Sequence, residues 1–218
     1  MGPVKRSVFV SLLLTIIVGV AGGADAGTPE WRYGGRILWV SAGSTSSEFG
    51  GTGSHLDLGS GPGLEFDATV MFSDVIGVEL SLGASGHRLD LVGGDWNGID
   101  GGWMWLVPLT ALAQYHIQVY GPWDPYFGLG ITWVGGFSSL SNEFEDAGVE
   151  DLDLKGSVGV AAQAGVNYQM NNRWYANLDL RYLGASLEAT VRTDDRDLPT
   201  VKLDINPWVF AVGFGYKF

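Results

Sequence analysis

The chain has 218 residues, no cysteine, 17% charged residues and a formal net charge of -12. The lack of cysteine excludes a disulfide framework, a thiolate nucleophile and a thiolate metal site. The acidic balance excludes a nucleic-acid binder, whose phosphate partner demands a basic surface.

The amino terminus sets the compartment. Lys5 and Arg6 precede an apolar run from Val8 to Val20, and Ala24-Asp25-Ala26 forms a small-x-small cleavage site. This is the pattern of a secretory signal peptide over residues 1–26. The apolar run is shorter than the roughly 18 to 20 residues that a membrane-spanning helix needs. The remaining residues 27–218 are of a size for one all-β domain.

Eight segments alternate with period two, as strands do when their faces meet different surroundings. The first, about Trp31 to Ala42, sets Tyr33, Ile37 and Trp39 against Arg32, Arg36, Leu38 and Val40. A spacer rich in Gly and Ser, Gly43 to Gly63, leads to the second strand, Leu64 to Phe72, where Leu64, Phe66, Ala68 and Val70 oppose Glu65, Asp67, Thr69 and Met71. After Ser73-Asp74 the third places Ile76, Val78, Leu80 and Leu82 opposite Gly77, Glu79, Ser81 and Gly83. A second long spacer, Ala84 to Trp103, precedes the fourth strand, Trp105 to Ile117, which carries Gln114 and His116 on its polar face.

A turn around Gly121-Pro122 gives the fifth strand, with Phe127, Leu129, Ile131 and Trp133 on one face. The third long spacer, Gly135 to Asp153, is acidic. The sixth strand, Leu154 to Tyr168, presents Gln163 and Asn167 inward; the seventh, Trp174 to about Ala189, presents Asn177, Asp179 and Arg181. A last spacer around Asp194-Asp195-Arg196-Asp197 leads to the eighth, Trp208 to Phe218, whose even positions are large and apolar and whose odd ones are small or, at Lys217, charged.

Long and short links alternate strictly, and an even strand count returns both termini to one side. The pattern predicts an all-β fold: an eight-stranded antiparallel transmembrane β-barrel of the outer-membrane type, with four long extracellular loops and short periplasmic turns. Closure also removes every unpaired strand edge, which hydrocarbon demands. A soluble β-sandwich is the competing reading, but it has no reason to sort its loop lengths or keep one face free of charge. Tryptophans recurring near strand ends, such as Trp31, Trp105, Trp133 and Trp208, suit interface belts.

Three segments carry a family resemblance: Phe72-Ser73-Asp74-Val75-Ile76-Gly77-Val78-Glu79-Leu80; Leu154-Lys155-Gly156-Ser157-Val158-Gly159 with Gln163-Ala164-Gly165-Val166-Asn167-Tyr168; and Asn206-Pro207-Trp208-Val209-Phe210 before the terminal Gly-Tyr-Lys-Phe. In order and spacing they resemble the OmpW family of outer-membrane proteins, over nearly all of the chain after the leader. The resemblance implies a barrel in the outer membrane of a Gram-negative bacterium, among lipid and lipopolysaccharide. It also implies a narrow lumen that admits small, mainly hydrophobic solutes, with a side exit toward lipid. Tyr216-Lys217-Phe218 resembles the carboxy-terminal signal read by the barrel-assembly machinery, with Tyr216 and Phe218 as its aromatic elements. Where the family pattern has apolar residues in the inner constriction, this chain carries Ser81 and Arg181.

The inward candidates for lining the lumen are Arg36, Glu65, Asp67, Glu79, Ser81, Gln114, Gln163, Asn177, Asp179, Arg181 and Lys217. One reading is a salt-bridged plug, because buried charges persist only when paired and hydrogen-bonded. The other is a polar floor that closes the barrel to ions beneath an apolar outer cavity. Catalysis is not expected: a nucleophilic serine needs a histidine oriented by a third group, and no motif around His55, His87 or His116 supplies that spacing. No cofactor is implied. The carboxylates of 143–153 match no calcium loop and read as a solvated surface, with a cation bridge to lipopolysaccharide as the lesser alternative. Against transport stands a structural or surface-receptor barrel whose loops bind partners.

Overall fold

The computed structural model describes residues 29–41, 45–46, 53, 55–94, 100–139, 149–193 and 201–218. The leader expected over residues 1–26, the acidic residues 194–197 and positions 143–148 of the acidic spacer lie outside the described residues.

The strands in chain order are β1 (Glu30–Ser41), β2 (Thr45–Ser46), β3 (His55–Leu58), β4 (Gly61–Met71), β5 (Ile76–Val92), β6 (Asp100–His116), β7 (Trp123–Ser139), β8 (Val149–Lys155), β9 (Ser157–Gln169), β10 (Trp174–Gly184), β11 (Ser186–Thr193), β12 (Val201–Asp204) and β13 (Trp208–Lys217). Eight of them close a ring in the order β4-β1-β13-β10-β9-β7-β6-β5, with β5 returning to β4. Every pairing is antiparallel. The seam between the first and last strands is sealed from Arg32↔Lys217 to Ser41↔Trp208, and the Phe218 amide donates to the Trp31 carbonyl at 2.8 Å.

The turns at one end are tight, and side chains hold them. Ser73 Oγ accepts from the amides of Val75 and Ile76, and Asn171 Oδ1 from those of Arg173 and Trp174. Such side-chain acceptors mimic a backbone turn. Gly121, at φ 99°, takes the left-handed conformation in the third tight connection.

Outside, the alternation leaves Ile37, Phe66, Leu129, Val212 and Phe214 bare, Phe66 at 74% exposure. In water such a belt would be far too large for a monomer; against hydrocarbon it is the expected surface. Aromatic girdles bound it. At the short-turn end Trp123 meets Tyr168, Trp174 meets Tyr216, and Tyr33 meets Phe218; at the other end Trp105 stacks on Phe137 and Tyr182 packs against Trp208.

The strands at the long-connection end exceed the sequence expectation. The spacer expected over Ala84 to Trp103 is largely strand, because β5 and β6 stay paired as far as Asp90↔Asp100, with a register shift after Leu89. β7 likewise continues to Ser139, and the spacer Gly43 to Gly63 contains β2, β3 and the start of β4. Glycines that suggest loops serve here as flat ground for large neighbours: Gly86 lies beneath the Trp105 ring.

The expected sixth and seventh strands are each interrupted, at Gly156 and Ala185. Past those breaks β8, β11, β12 and β2 form a separate four-stranded sheet, in the order β2-β12-β11-β8. Asn206 at φ 28° and Pro207 turn the chain from β12 into β13, so the last barrel strand starts at Trp208.

Candidate functional site: the barrel interior

Inward side chains fall into three tiers. At the short-turn mouth, Arg32 Nη1 donates to Asp124 Oδ2 at 2.9 Å and its Nε to Glu30 Oε1 at 2.7 Å. His116 Nδ1 lies 2.7 Å from Asp124 Oδ1, Asn167 Nδ2 donates to Asp124 Oδ2, and the His116 ring stacks on Tyr126.

The middle tier is a ring of two guanidinium groups and two glutamates. Arg36 grips Glu79 with both terminal nitrogens, at 3.1 and 2.7 Å, and reaches Glu65 at 2.9 Å. Arg181 grips Glu65 in the same forked way, at 2.8 and 3.2 Å, and touches Glu79 at 3.4 Å. Forked arginine–carboxylate pairs fix geometry as well as charge, which a single ammonium could not do. Arg181 also donates to Ser81 Oγ and Asp179 Oδ1, each at 3.2 Å. Gln114 and Gln163 donate to Glu79, at 3.0 and 3.2 Å, and Gln114 also donates to Gln163 Oε1. Tyr126 donates to Asp179 Oδ2 and accepts from Asn177 Nδ2, both at 2.9 Å.

The four carboxylates of Glu65, Asp67, Glu79 and Asp179 thus share two guanidinium groups. Asp67 is the poorly served one: it stands 3.4 Å from Arg36 Nε, and neither of its oxygens is hydrogen-bonded. Arg181 Nε likewise has no acceptor.

Above this floor the wall turns apolar. Leu38, Val40, Leu106, Val134, Leu183 and Val209 surround a small cavity whose base is formed by Glu65 and Arg181 and whose edge includes Ser85 and Pro207. The space left there is about that of one water molecule, so side chains fill this part of the lumen, as an eight-stranded barrel allows.

The structure brings Arg36, Glu65, Asp67, Glu79, Ser81, Gln114, Gln163, Asn177, Asp179 and Arg181 into one buried tier. Lys217 is not part of it. Its strand position faces inward, but its register partner is Arg32, at the start of β1, which sets it at the mouth with Nζ 6.0 Å from the centre of the Tyr175 ring. The charge balance of the tier is therefore two positive to four negative, where the sequence set suggested three to four. Tyr216 and Phe218 pack against each other in the girdle.

The lumen candidates drawn from sequence omit Asp124 and also Arg32, Tyr126, Asn167 and Tyr175, although the alternation puts these four on the inward face. A further signal was present for two of them. Tyr126 and Tyr175 lie in the space that a side chain at Gly165 and Gly215 would occupy. Large inward residues whose strand neighbours are inward glycines are candidates for filling the lumen.

A second missed feature lies at the upper edge. Ser85 Oγ is 2.8 Å from His87 Nε2, and His87 Nδ1 is 2.8 Å from the Gly59 carbonyl oxygen. A carbonyl accepts only, so Nδ1 carries the proton and Nε2 accepts from the serine. Burial lowers the His87 pKa from its usual value, and the hydrogen bond to Gly59 opposes that only in part. His87 pairs with Met104, one position beyond the Trp105 girdle, and so lies outside the hydrocarbon belt.

Comparison with known proteins agrees with this architecture. The model of the OmpW family matches residues 40–218. An uncharacterized outer-membrane protein, y4mB of Sinorhizobium fredii, is 33% identical over 196 residues, covering 90% of this chain and 83% of that protein. Outer membrane protein W of Escherichia coli is 31% identical over 219 residues, covering 98% and 99%. The crystal structure of OprG from Pseudomonas aeruginosa superposes with a TM-score of 0.78 at 27% identity, covering 87% of this chain and 95% of that one. The chain belongs to the OmpW family and is an eight-stranded β-barrel of the outer membrane.

Proposed function

We propose that the protein is a lateral conduit for small, mainly hydrophobic molecules, with its long connections outside the cell and its tight turns in the periplasm. The observation that carries this reading is the division of the lumen into an apolar upper chamber and a charged, cross-linked floor. Ions meet two guanidinium groups locked between carboxylates, and an apolar solute meets leucine and valine. A sideways exit requires the wall beside the chamber to part: Pro207, on the chamber's edge, has no amide hydrogen to offer β10, but its carbonyl accepts from the Leu183 amide at 3.1 Å, and the Ile205 and Asn206 amides donate to the Ala185 carbonyl.

The test is uptake of a small apolar fluorophore into proteoliposomes, with ion conductance recorded on the same preparation in planar bilayers. Uptake well above protein-free vesicles, with conductance at the bilayer baseline, is the expected result. Uptake at the protein-free rate defeats the reading.

A second reading, a receptor or structural barrel, is favoured by one feature: the four-stranded sheet of β2, β12, β11 and β8 forms its own ladder at the long-connection end, joined to the barrel through Gly156 and Ala185, and offers a platform beyond the membrane. A deletion strain with normal uptake of apolar compounds but altered phage sensitivity would support it. The terminal aromatic residues Tyr216 and Phe218 fit, in the same proposal, recognition by the barrel-assembly machinery.

A further inference from the structure

The middle tier sets the carboxyl groups of Glu65, Asp67, Glu79 and Asp179 against the guanidinium groups of Arg36 and Arg181, and each of these residues is at most 6% exposed. Fully ionised, the tier would carry two negative charges in surplus. It lies behind the apolar belt, where Phe66, next to Asp67 on β4, faces lipid and water cannot screen the repulsion. Buried carboxyl groups crowded in this way escape the cost by holding a proton.

Hydrogen bonding decides which of the four does so. Glu65 and Glu79 each accept from both guanidinium groups. Glu79 also accepts from Gln114 and Gln163, and Asp179 accepts from Tyr126 and Arg181. Every one of those donors favours the ionised form of its acceptor. Asp67 has none: neither oxygen is hydrogen-bonded, and its ion-pair partner, Arg36 Nε, stands at 3.4 Å. The Asp67 carboxyl lies against the bare backbone of Gly34, in the space that a side chain there would fill.

From this we infer that Asp67 is a proton-binding site: its carboxyl is neutral in the folded barrel at neutral pH and supplies one of the two cations that the tier lacks. A metal ion suits the tier less well, because among the described residues no three metal-binding side chains come together. The groups that bear on this proton are Arg36 on β1, Glu65 on β4, Glu79 on β5, and Tyr175 and Arg181 on β10. At this level β13 contributes only Gly213 and Gly215. The consequence falls on Arg36. An ionised Asp67 would compete for its guanidinium, whereas a neutral one leaves the fork on Glu79 and the bond to Glu65 undisturbed. The inference is independent of the conduit reading, since the tier belongs to the barrel whether or not a solute passes.

The test is infrared spectroscopy of the full barrel in lipid nanodiscs at neutral pH, with isotope-labelled aspartate carboxyl groups. The C=O stretch of a neutral carboxyl is read apart from the carboxylate band. Wild-type protein is expected to show one neutral aspartate per barrel, a signal lost entirely in Asp67→Asn and retained in Asp179→Asn. The absence of a neutral aspartate from the wild-type spectrum overturns the inference. So does a band that survives in Asp67→Asn and disappears in Asp179→Asn, which would put the proton on the other aspartate. Should Asp67→Asn not insert, the wild-type band and its fate in Asp179→Asn still decide, because Asp67 and Asp179 are the two aspartates of the tier.

Discussion

Arg36 is the residue on which the interior depends most. Its guanidinium holds Glu79 and Glu65 and stands nearest to Asp67, all at 6% exposure or less. Removing one partner of a buried pair leaves the others charged and unsolvated, which typically costs about 3–5 kcal/mol. Arg36→Met should therefore lower the temperature at which the folded barrel converts to the slow-migrating form on a heat-modifiability gel. A double variant that also neutralises Glu79 as Gln should recover part of that loss.

His87 gives the pH dependence a sign. Its pKa is lowered in the folded protein, so the unfolded chain takes up a proton first as pH falls. Stability contributed by neutral His87 is present above about 6.5, the unperturbed histidine value. It is lost as pH falls below that value toward the depressed one. Hydrogen exchange at the amides of β3 and the outer end of β5 should be faster at pH 5 than at pH 7, and His87→Gln should flatten the difference.

Within the strands, glycines determine where the large lumen residues sit. The Tyr175 ring occupies the place where Gly215 would carry a Cβ, and Tyr126 does the same over Gly165. Overpacking a filled interior costs about 1–3 kcal/mol. Gly215→Ala should destabilise the barrel by that amount in urea unfolding, and Gly215→Ala with Tyr175→Leu should couple favourably, because the second change vacates the space the first one fills. Additive behaviour of the pair would contradict the packing described for β10 and β13.

The whole barrel closes between its first and last strands, and that seam finishes at Phe218. Its amide donates to the Trp31 carbonyl and its ring packs on Tyr33 and Tyr216. Deleting Phe218 removes the final seam hydrogen bond together with two aromatic contacts of the lower girdle. The folded, membrane-inserted fraction in cells should drop several-fold, roughly the effect of losing about 1 kcal/mol at the closing step, as read from outer-membrane fractions on unheated gels.

Much of this molecule is written in a local code. Period two decides which side chains face lipid, and the alternation of long and short links decides that the sheet is antiparallel and closes. Both were legible for every barrel strand, from Tyr33 and Ile37 on β1 to Phe214 on β13. Parity names a face, however, and not a height. Lys217 points inward yet sits at the mouth because its register partner is Arg32, and register is a relation between two strands.

Strand length escaped the sequence for a related reason. Beyond the membrane both faces of a strand are free to be polar, so β5, β6 and β7 continue through stretches that lack the greasy face, and the β8–β11 sheet has no lipid-facing pattern to announce it. Eight strands around a charged interior followed from the amino acids in order, while the choice between a plug and a floor beneath a cavity did not. Which guanidinium nitrogen meets which carboxylate, the Ser85–His87 hydrogen bond and the unsatisfied Arg181 Nε exist only once residues 116 positions apart, such as Glu65 and Arg181, are folded to within 2.8 Å.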